Sequence, residues 1–238
     1  MLEFWRRYHD GTPEYLARHY WWAYLDPIGV WFFDHYSVIN LILFGQYRNI
    51  LNEVMRRYAA TNGACTLQLT CAYGSITPTL ARAANTHELH LADVAAIQLY
   101  AAQHKIPPSV KPVLYARMNT EALAYADDSF DTVIIFFLLH ELPSAARDRT
   151  LHEALRVLKP GGHLLLAEYG ANHGRHLLHR LVVPRWVLGK LEPFLSDFWH
   201  SDLDAQLIAC ARDNGKTLRH NGETTLFGGF YRVMEYHV

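Results

Sequence analysis

The sequence lacks most of the features that assign a protein to a class at a glance. Its 238 residues carry a formal net charge of −1, so no overall positive potential indicates nucleic-acid binding. Cys65, Cys71 and Cys210 show no CxxC or paired spacing, which favours free thiols in a reducing compartment over a disulfide framework. The fifteen histidines form no H-x-x-x-H or H-E-x-x-H pattern, so the helical zinc-hydrolase motif is absent.

Long hydrophobic runs are also missing. The longest apolar stretches cover residues 30–33 and 38–44, far short of the ~20 residues that a membrane-spanning helix needs. Charged residues interrupt the first ten positions, so we expect no secretory signal there. Together these absences predict a cytoplasmic protein that is not integral to a membrane.

The chain has enough hydrophobic material for one buried domain and an accessory part. Hydrophobic residues make up 50% of it and charged residues 19%, as in globular proteins. We expect residues 1–60 to form an N-terminal helical cap and residues 61–238 to form an α/β domain. The cap region holds twelve aromatic residues within its first 36 positions: Phe4, Trp5, Tyr8, Tyr15, Tyr20, Trp21, Trp22, Tyr24, Trp31, Phe32, Phe33 and Tyr36.

Capping signals divide the cap region into three predicted helices. A Thr-Pro-Glu sequence predicts a helix over 12–25, and an Asp-Pro pair predicts a second over 26–44. Gly45 would end the second helix, and 46–58 would form the third. The aromatic residues have two interpretations, packing onto the sheet or forming a lid or membrane-interface belt, and the sequence leaves both open.

After residue 60, apolar strand-like runs alternate with helix-like runs. The alternation predicts strands at 65–70, 88–94, 111–117, 130–139 and 163–169, and helices at 77–84, 95–104 and 145–158. A glycine pair separates 224–227 from 230–236, which predicts a C-terminal antiparallel hairpin. We therefore expect a doubly wound, mostly parallel sheet.

A basic stretch precedes that hairpin. Residues 173–203 are predicted to be helical, and Arg175, Arg180, Arg185 and Lys190 recur within them without a nearby acid. Such a helix could lie on an anionic membrane surface, or the four charges could form a solvated face. Both interpretations stay open.

The loop after the first predicted strand resembles a nucleotide-binding turn. Residues 67–77 read LQLTCAYGSIT, a strand followed by a turn at Gly74 and by a helix. Ligand groups bind at this place in open α/β sheets, at the strand end and the helix N-terminus.

Motifs farther along resemble the class I S-adenosylmethionine-dependent methyltransferases. Residues 121–131 resemble "E-x-L-P-F-x-D-x-S-F-D", and residues 156–162 read RVLKPGG, the turn of that superfamily. The resemblance implies a Rossmann-like fold and S-adenosylmethionine as cofactor. Asp93 ends a strand about twenty residues after the loop, as a ribose-binding acid does, although it could instead cap the next helix. Asn119 stands where an acid often lies beside adenine, or it is a turn residue.

A narrower resemblance covers nearly the whole chain. Residues 67–77 are similar to "L-Q-x-x-C-x-Y-G-D-x-T" of the rhodoquinone biosynthesis enzymes, and further matches are DVAAIQL (93–99), FFLLHE (136–141), EPF (192–194) and FGGFY (227–231). The resemblance implies an exchange of a ubiquinone methoxy group for an amino group. S-adenosylmethionine would supply the nitrogen, and manganese would assist. Ser75 replaces the family's acid, and Gly170 stands where a histidine is expected.

The family resemblance also implies an isoprenoid quinone as partner and a peripheral position at an inner membrane, on the matrix side in a mitochondrion. His140 and Glu141 end the central strand, where they suit a divalent metal ion or acid–base chemistry, although a loop role would also fit. Tyr73 could contact a quinone or pack against the aromatic cap.

The resulting hypothesis assigns three sets of residues. Catalytic candidates are Tyr73, Ser75, His140 and Glu141, and metal candidates are Asp93, His140 and Glu141. Cofactor-binding candidates are Gln68, Thr70, Gly74, Asp93, Val94, Asn119, Thr120 and Phe137. The alternatives are a methyltransferase of a quinone or another small aromatic compound, and a non-catalytic ligand-binding homologue.

Overall fold

The computed structural model describes residues 11–61, 63–84, 87–110, 112–171, 176, 189 and 191–238. Within residues 11–61, five helices precede the first strand: α1 Glu14–His19, α2 Trp21–Tyr24, α3 Pro27–Phe33, α4 Tyr36–Ile42 and α5 Tyr47–Tyr58. The first predicted helix is therefore two helices that meet at Tyr20. It begins after Pro13, which holds the N-cap position without a side-chain cap, so Thr12 is not the cap.

The predicted start of the second helix is confirmed. The Asp26 carboxylate accepts the Gly29 amide at 2.9 Å, and proline occupies the first helical position. The predicted end is wrong, because the chain turns after Phe33 and begins α4. At the turn, Asp34 accepts the amide of Gly74 at 3.0 Å and the ammonium of Lys105 at 2.6 Å. These hydrogen bonds to distant residues stabilise the break between α3 and α4, which no local sequence signal predicts.

The domain core is a seven-stranded sheet with the order β3-β2-β1-β4-β5-β7-β6. Its strands are β1 Cys65–Leu69, β2 Glu88–Asp93, β3 Leu114–Arg117, β4 Phe130–Phe136, β5 Leu158–Tyr169, β6 Arg219–Leu226 and β7 Tyr231–His237. The first five strands pair in parallel, and β7 pairs antiparallel with both β5 and β6. The predicted doubly wound sheet and its C-terminal hairpin are confirmed.

Helices follow β1, β2, β4 and β5, whereas residues 118–129 between β3 and β4 contain no helix. These helices are α6 Ile76–Ala83, α7 Ala96–Lys105, α8 Ser144–Arg156, α9 Leu195–His200 and α10 Leu203–Asp213. Helix α5 packs on β5 and β7, whereas α10 packs on α8. Helix α10 was not predicted. The basic residues Arg175, Arg180, Arg185 and Lys190 lie outside the described residues.

Parallel pairing brings the functional strand ends to one edge. Leu69 pairs with Ala92 and with Ile135, and Phe136 pairs with Ala167. The residues that follow β1, β2 and β4, and the last residues of β5, therefore meet at this carboxyl edge.

Among the described residues, no helix is both long and apolar enough to cross a bilayer.

Candidate functional site

A cavity of about 300 Å³ lies at the carboxyl edge, between the sheet and the helical cap. Of the predicted site residues, nine line it: Thr70, Tyr73, Asp93, Val94, Asn119, Thr120, Phe137, His140 and Glu141. Gln68, Gly74 and Ser75 do not line this cavity. Residues of α1 to α4 form its opposite wall, so both predicted regions of the chain build the site.

Thr70 takes a backbone conformation that usually requires glycine. Its φ is 67°, although it is β-branched, and its amide donates to the Ala92 carbonyl at 2.7 Å. A non-glycine residue held there stores about 1–3 kcal/mol of strain, and such residues cluster at functional sites. The loop thus keeps a glycine-type backbone path while presenting a side chain to the cavity.

Gln68 supports this loop from beneath. Its side chain is fully buried, and its Nε2 donates to the Thr70 carbonyl at 2.9 Å and to Thr77 Oγ1 at 3.0 Å. Gln68 therefore ties the loop to the first turn of α6 instead of facing the cavity. We assign it a positioning role.

Gly74 and Ser75 point the other way, towards α5. A Cβ on Gly74, whose φ is 80°, would lie 2.7 Å from the Tyr47 hydroxyl oxygen. The Ser75 amide donates to the same oxygen at 2.6 Å. Gly74, predicted to bind the cofactor, and Ser75, predicted to be catalytic, are therefore not part of the cavity wall.

Asp93 joins the loop to the next helix. Its two carboxylate oxygens accept the amide of Cys71 at 2.7 Å and the amide of Ala95 at 2.8 Å. Burial raises its pKa to about 6, against the lowering effect of these bonds. Each carboxylate oxygen keeps a second lone pair, so the residue can still accept ribose hydroxyls. The ligand contact therefore stays open to Asp93. The N-cap of the next helix is Ala95, whose amide Asp93 accepts, so Asp93 is not the cap itself.

Three further predicted residues complete this side of the cavity. Asn119 Oδ1 accepts the Glu121 amide at 3.0 Å, as a turn residue does, while the side chain also lines the cavity. The Thr120 hydroxyl lies 3.1 Å from that of Thr150. Phe137 has a φ of 54°, a second strained residue at the cavity.

On the other side, His140 and Glu141 lie in a short 3₁₀ helix, Leu139–Glu141. β4 ends at Phe136, before the predicted strand end at 139, so this pair follows the strand and does not end it. Glu168 of β5 is fully buried beside them. Its carboxylate accepts from His140 Nδ1 at 2.8 Å and from the Leu139 amide at 2.6 Å. Burial lowers the pKa of His140, but the charge and hydrogen bond of Glu168 outweigh it and raise that pKa to about 9.

Glu192 joins His140 and Glu141 in a three-residue cluster. One ligand atom from each of these residues lies within 4.8 Å of the others, and His140 Nε2 lies 4.0 Å from Glu141. Burial and the charge of Glu192 raise the pKa of Glu141 to about 8. Tyr24 donates to Glu141, and Tyr20 donates to Glu192 at 3.1 Å.

The cluster has the composition of a divalent-metal site. One imidazole and two carboxylates suit a hard or borderline ion, and the His140–Glu168 bond fixes the imidazole as outer carboxylates do in metalloproteins. Of the predicted metal set, His140 and Glu141 lie in this cluster together with Glu192. Asp93 lies outside it, and its carboxylate accepts backbone amides. A second group, Cys65, Glu88 and His90, lies at the amino ends of β1 and β2.

Tyr73 binds the cap to the domain. Its ring stacks on Tyr24 at 5.4 Å, and its hydroxyl donates to the Ala23 carbonyl and accepts from Gln98 Nε2 at 2.9 Å. This is the packing expected by one of its two interpretations. Since Tyr73 also lines the cavity, it contributes to the wall as well.

Residues 31–180 match the ubiE/COQ5 methyltransferase family. They span more than half of the chain, the loop after β1 and the His140–Glu141 pair included. The chain belongs to the ubiE/COQ5 methyltransferase family.

A curated relative in this family is the ubiquinone/menaquinone biosynthesis C-methyltransferase of Pseudoalteromonas translucida, 30% identical over 138 residues. The match covers 56% of this chain and 54% of that relative, so the chain spans about half the length of the curated relatives it matches. The comparisons support family membership and do not single out the rhodoquinone enzymes.

Solved structures show the class I methyltransferase fold. Magnesium protoporphyrin IX methyltransferase from Synechocystis, with bound SAH, gives a TM-score of 0.55 at 17% identity, covering 99% of this chain and 93% of that one. A SAM-dependent methyltransferase from Aquifex aeolicus gives 0.56 at 16% identity, covering 90% and 98%. The predicted fold class is confirmed.

Gly170, which stands where the rhodoquinone enzymes are expected to have a histidine, has a steric reason to be glycine in this chain. A Cβ on Gly170 would lie 2.0 Å from the Gly229 carbonyl oxygen. The Gly170 amide donates to the Phe230 carbonyl at 2.8 Å, so the two backbone segments are in direct contact. No side chain fits at position 170 unless the turn between β6 and β7 moves.

Sequence reasoning missed four side chains at the site: Tyr20, Tyr24, Glu168 and Glu192. Glu168 carried a usable signal, because a carboxylate near the end of a buried parallel strand needs a partner. Glu192 lies in the matched EPF segment, but that match gave it no role at the site. The two tyrosines were recognised only as members of an aromatic group, since nothing nearby in the sequence identifies their carboxylate partners.

Proposed function

We propose that the protein is an S-adenosylmethionine-dependent transferase that acts on the ring of an isoprenoid quinone. The observation that carries the proposal is one cavity with two chemically different sides. Asp93 lies on one side at the end of β2, and the buried His140–Glu141–Glu192 cluster lies on the other. The family and the printed activity of its curated relatives support this assignment.

The cofactor would occupy the side formed by the strand ends of β1 and β2. Asp93 would accept the ribose hydroxyls, while Val94 and Asn119 would border the adenine. The cofactor supplies an electrophilic sulfonium centre. Thr70 would approach its methionine part, where a glycine leaves more room.

The quinone ring would lie against the aromatic wall. Tyr20 and Tyr24 of the cap and Tyr169 of β5 line the cavity near the cluster. Aromatic rings can stack on a quinone, and phenol hydroxyls can donate to its oxygens. Glu141 would meet the ring hydroxyl of a reduced quinone.

Methyl transfer to a ring carbon is the first candidate reaction. A ring hydroxyl would lose its proton, which makes the neighbouring carbon nucleophilic. That carbon would take the methyl group while sulfur keeps the electron pair of the broken S–C bond, and the carbon's hydrogen would then move as a proton to the ring oxygen, which restores the aromatic hydroxyl. Glu141 is suited to accept the proton, because burial and Glu192 raise its pKa to about 8, close to neutral pH. The printed names of the relatives favour this reaction.

Amino transfer, as in the rhodoquinone enzymes, is the second candidate. Thr70 with its positive φ favours it, because its side chain occupies a backbone position that glycine usually takes and borders the space where the methionine part would lie. A divalent ion such as manganese fits the donor set of His140, Glu141 and Glu192, and it would polarise a quinone carbonyl. Glu168 would hold the imidazole in the tautomer that leaves Nε2 available.

Product mass decides between the reactions. The protein would be incubated with S-adenosylmethionine and, in parallel, with a short-tailed ubiquinone and its ring-demethylated precursor. Gain of one methyl group on the precursor supports methyl transfer, whereas exchange of methoxy for amino on ubiquinone supports amino transfer. The Asp93→Ala variant serves as the cofactor-site control. Calorimetric titration with S-adenosylhomocysteine tests the third possibility, since absence of binding would make the chain a non-catalytic homologue.

A further inference from the structure

Large apolar side chains are exposed on the two cap helices α3 and α4 and on the turn after them. We call this set the apolar face; its members are Ile28, Trp31, Phe32, Tyr36, Leu41 and Phe44. The exposed fraction reaches 77% for Leu41, 75% for Ile28 and 65% for Trp31. Single exposed apolar residues are ordinary, but a group on adjoining helices marks an interaction site.

The apolar face carries almost no charge. Asp34 is the one Asp, Glu, Lys or Arg in residues 27–47. Its carboxylate is already engaged by Lys105 at 2.6 Å and by the Gly74 amide at 3.0 Å. Solvated protein surfaces are normally interspersed with charges, so this surface is matched to an apolar environment instead of water.

The cavity opens beside this face. Phe33, Ile39 and Leu43 of the same region line the cavity. Ile42 also lines it and is 42% exposed, as is Leu191 with 47%. These two residues therefore reach both the cavity and solvent, and they form an apolar mouth. An apolar molecule could pass from whatever covers the face, past these two apolar side chains, into the cavity.

We propose that the apolar face inserts into the interfacial region of a lipid bilayer, and that the mouth at Ile42 and Leu191 admits the quinone from it. The second half of this proposal rests on the proposed function. Trp31 and Tyr36 are residue types favoured at the boundary between headgroups and acyl chains. A second protein copy on the same surface would cover the mouth, whereas a bilayer would both cover the face and deliver a substrate with a long apolar tail. The protein would then act from the surface of a membrane.

Vesicle flotation tests the surface directly. The double variant Ile28→Glu with Leu41→Glu places two charges on the face, and Ile208→Glu on α10 is a matched control with 58% exposure. With phosphatidylcholine vesicles, we expect wild type and the control to float, and the double variant to bind at least about tenfold less. Vesicles that contain phosphatidylglycerol measure any added effect of anionic lipid.

Turnover measurements then distinguish a loss of membrane binding from a loss of catalysis. The double variant should act normally on a tailless quinone in buffer and lose at least about tenfold on a long-tailed quinone in vesicles. Equal flotation of wild type and double variant would overturn the proposal. A vesicle-free dimer that the double variant converts to monomer would also overturn it, because the face would then join two copies. If flotation depends on the apolar face but neither quinone is turned over, the membrane-binding proposal is supported and only the proposed function is rejected.

Discussion

Replacement of Glu168 by glutamine tests the electrostatic core of the site. The substitution keeps the shape of the side chain but removes the charge beside His140. In the wild-type protein, three N–H groups point at this carboxylate: His140 Nδ1 at 2.8 Å, the Leu139 amide at 2.6 Å and the Tyr169 amide at 3.2 Å. A glutamine offers one acceptor oxygen and places an NH₂ group where an acceptor is needed.

The expected loss follows from the pKa of His140. A tenfold change in proton affinity, one pKa unit, corresponds to about 1.4 kcal/mol. The rise of the His140 pKa from 6.5 to about 9 on folding therefore contributes about 3 kcal/mol to the free energy of unfolding. The folded state binds this proton more tightly than the unfolded chain does. The contribution is therefore complete below a pH of about 6.5 and disappears as the pH rises through about 9.

Urea unfolding at pH values of about 6 and about 10 measures this difference. At the lower pH, Glu168→Gln should cost about 3 kcal/mol, or about 6–12 °C in Tm for a chain of this size. The control is Glu88→Gln, which also removes a carboxylate from a histidine, at 2.9 Å, but on a side chain that is 55% exposed. It should cost less than about 1 kcal/mol. An equal loss for Glu168→Gln at both pH values would refute the reasoning.

Three further predictions follow from the geometry. Thr70→Gly should raise the free energy of unfolding by about 0.5–1 kcal/mol, because relief of the left-handed strain exceeds the entropy cost of glycine; a lower Tm in calorimetry would contradict it. Gly170→Ala should cost about 1–3 kcal/mol through its clash with Gly229, while Gly189→Ala, whose Cβ would meet no atom of the described residues within 4 Å, should stay within about 0.5 kcal/mol by urea unfolding. Affinity for S-adenosylhomocysteine should fall as the pH drops below about 6, where Asp93 gains a proton, and Asp93→Asn should abolish this pH dependence in calorimetric titration.

The elements that the sequence predicted well depend on local patterns. Apolar runs gave the parallel strands, and Asp26-Pro27 gave the start of α3, because hydrophobic periodicity and capping act within a few residues. Asp93 was also identified at a strand end, since the position follows directly from the alternation. The predicted ends of the cap helices failed, because the break at Asp34 is held by Gly74 and Lys105, far away in the chain.

The sequence by itself determined the doubly wound sheet, the family-level resemblance and two of the three residues of the candidate cluster, His140 and Glu141. Only the tertiary structure brought Glu168 to His140 across 28 positions and Tyr24 to Glu141 across 117. It also turned Gly74 and Ser75 away from the cavity and added Glu192. Strand register and cap packing make these contacts, and both are set by burial of the whole domain, which no short segment encodes.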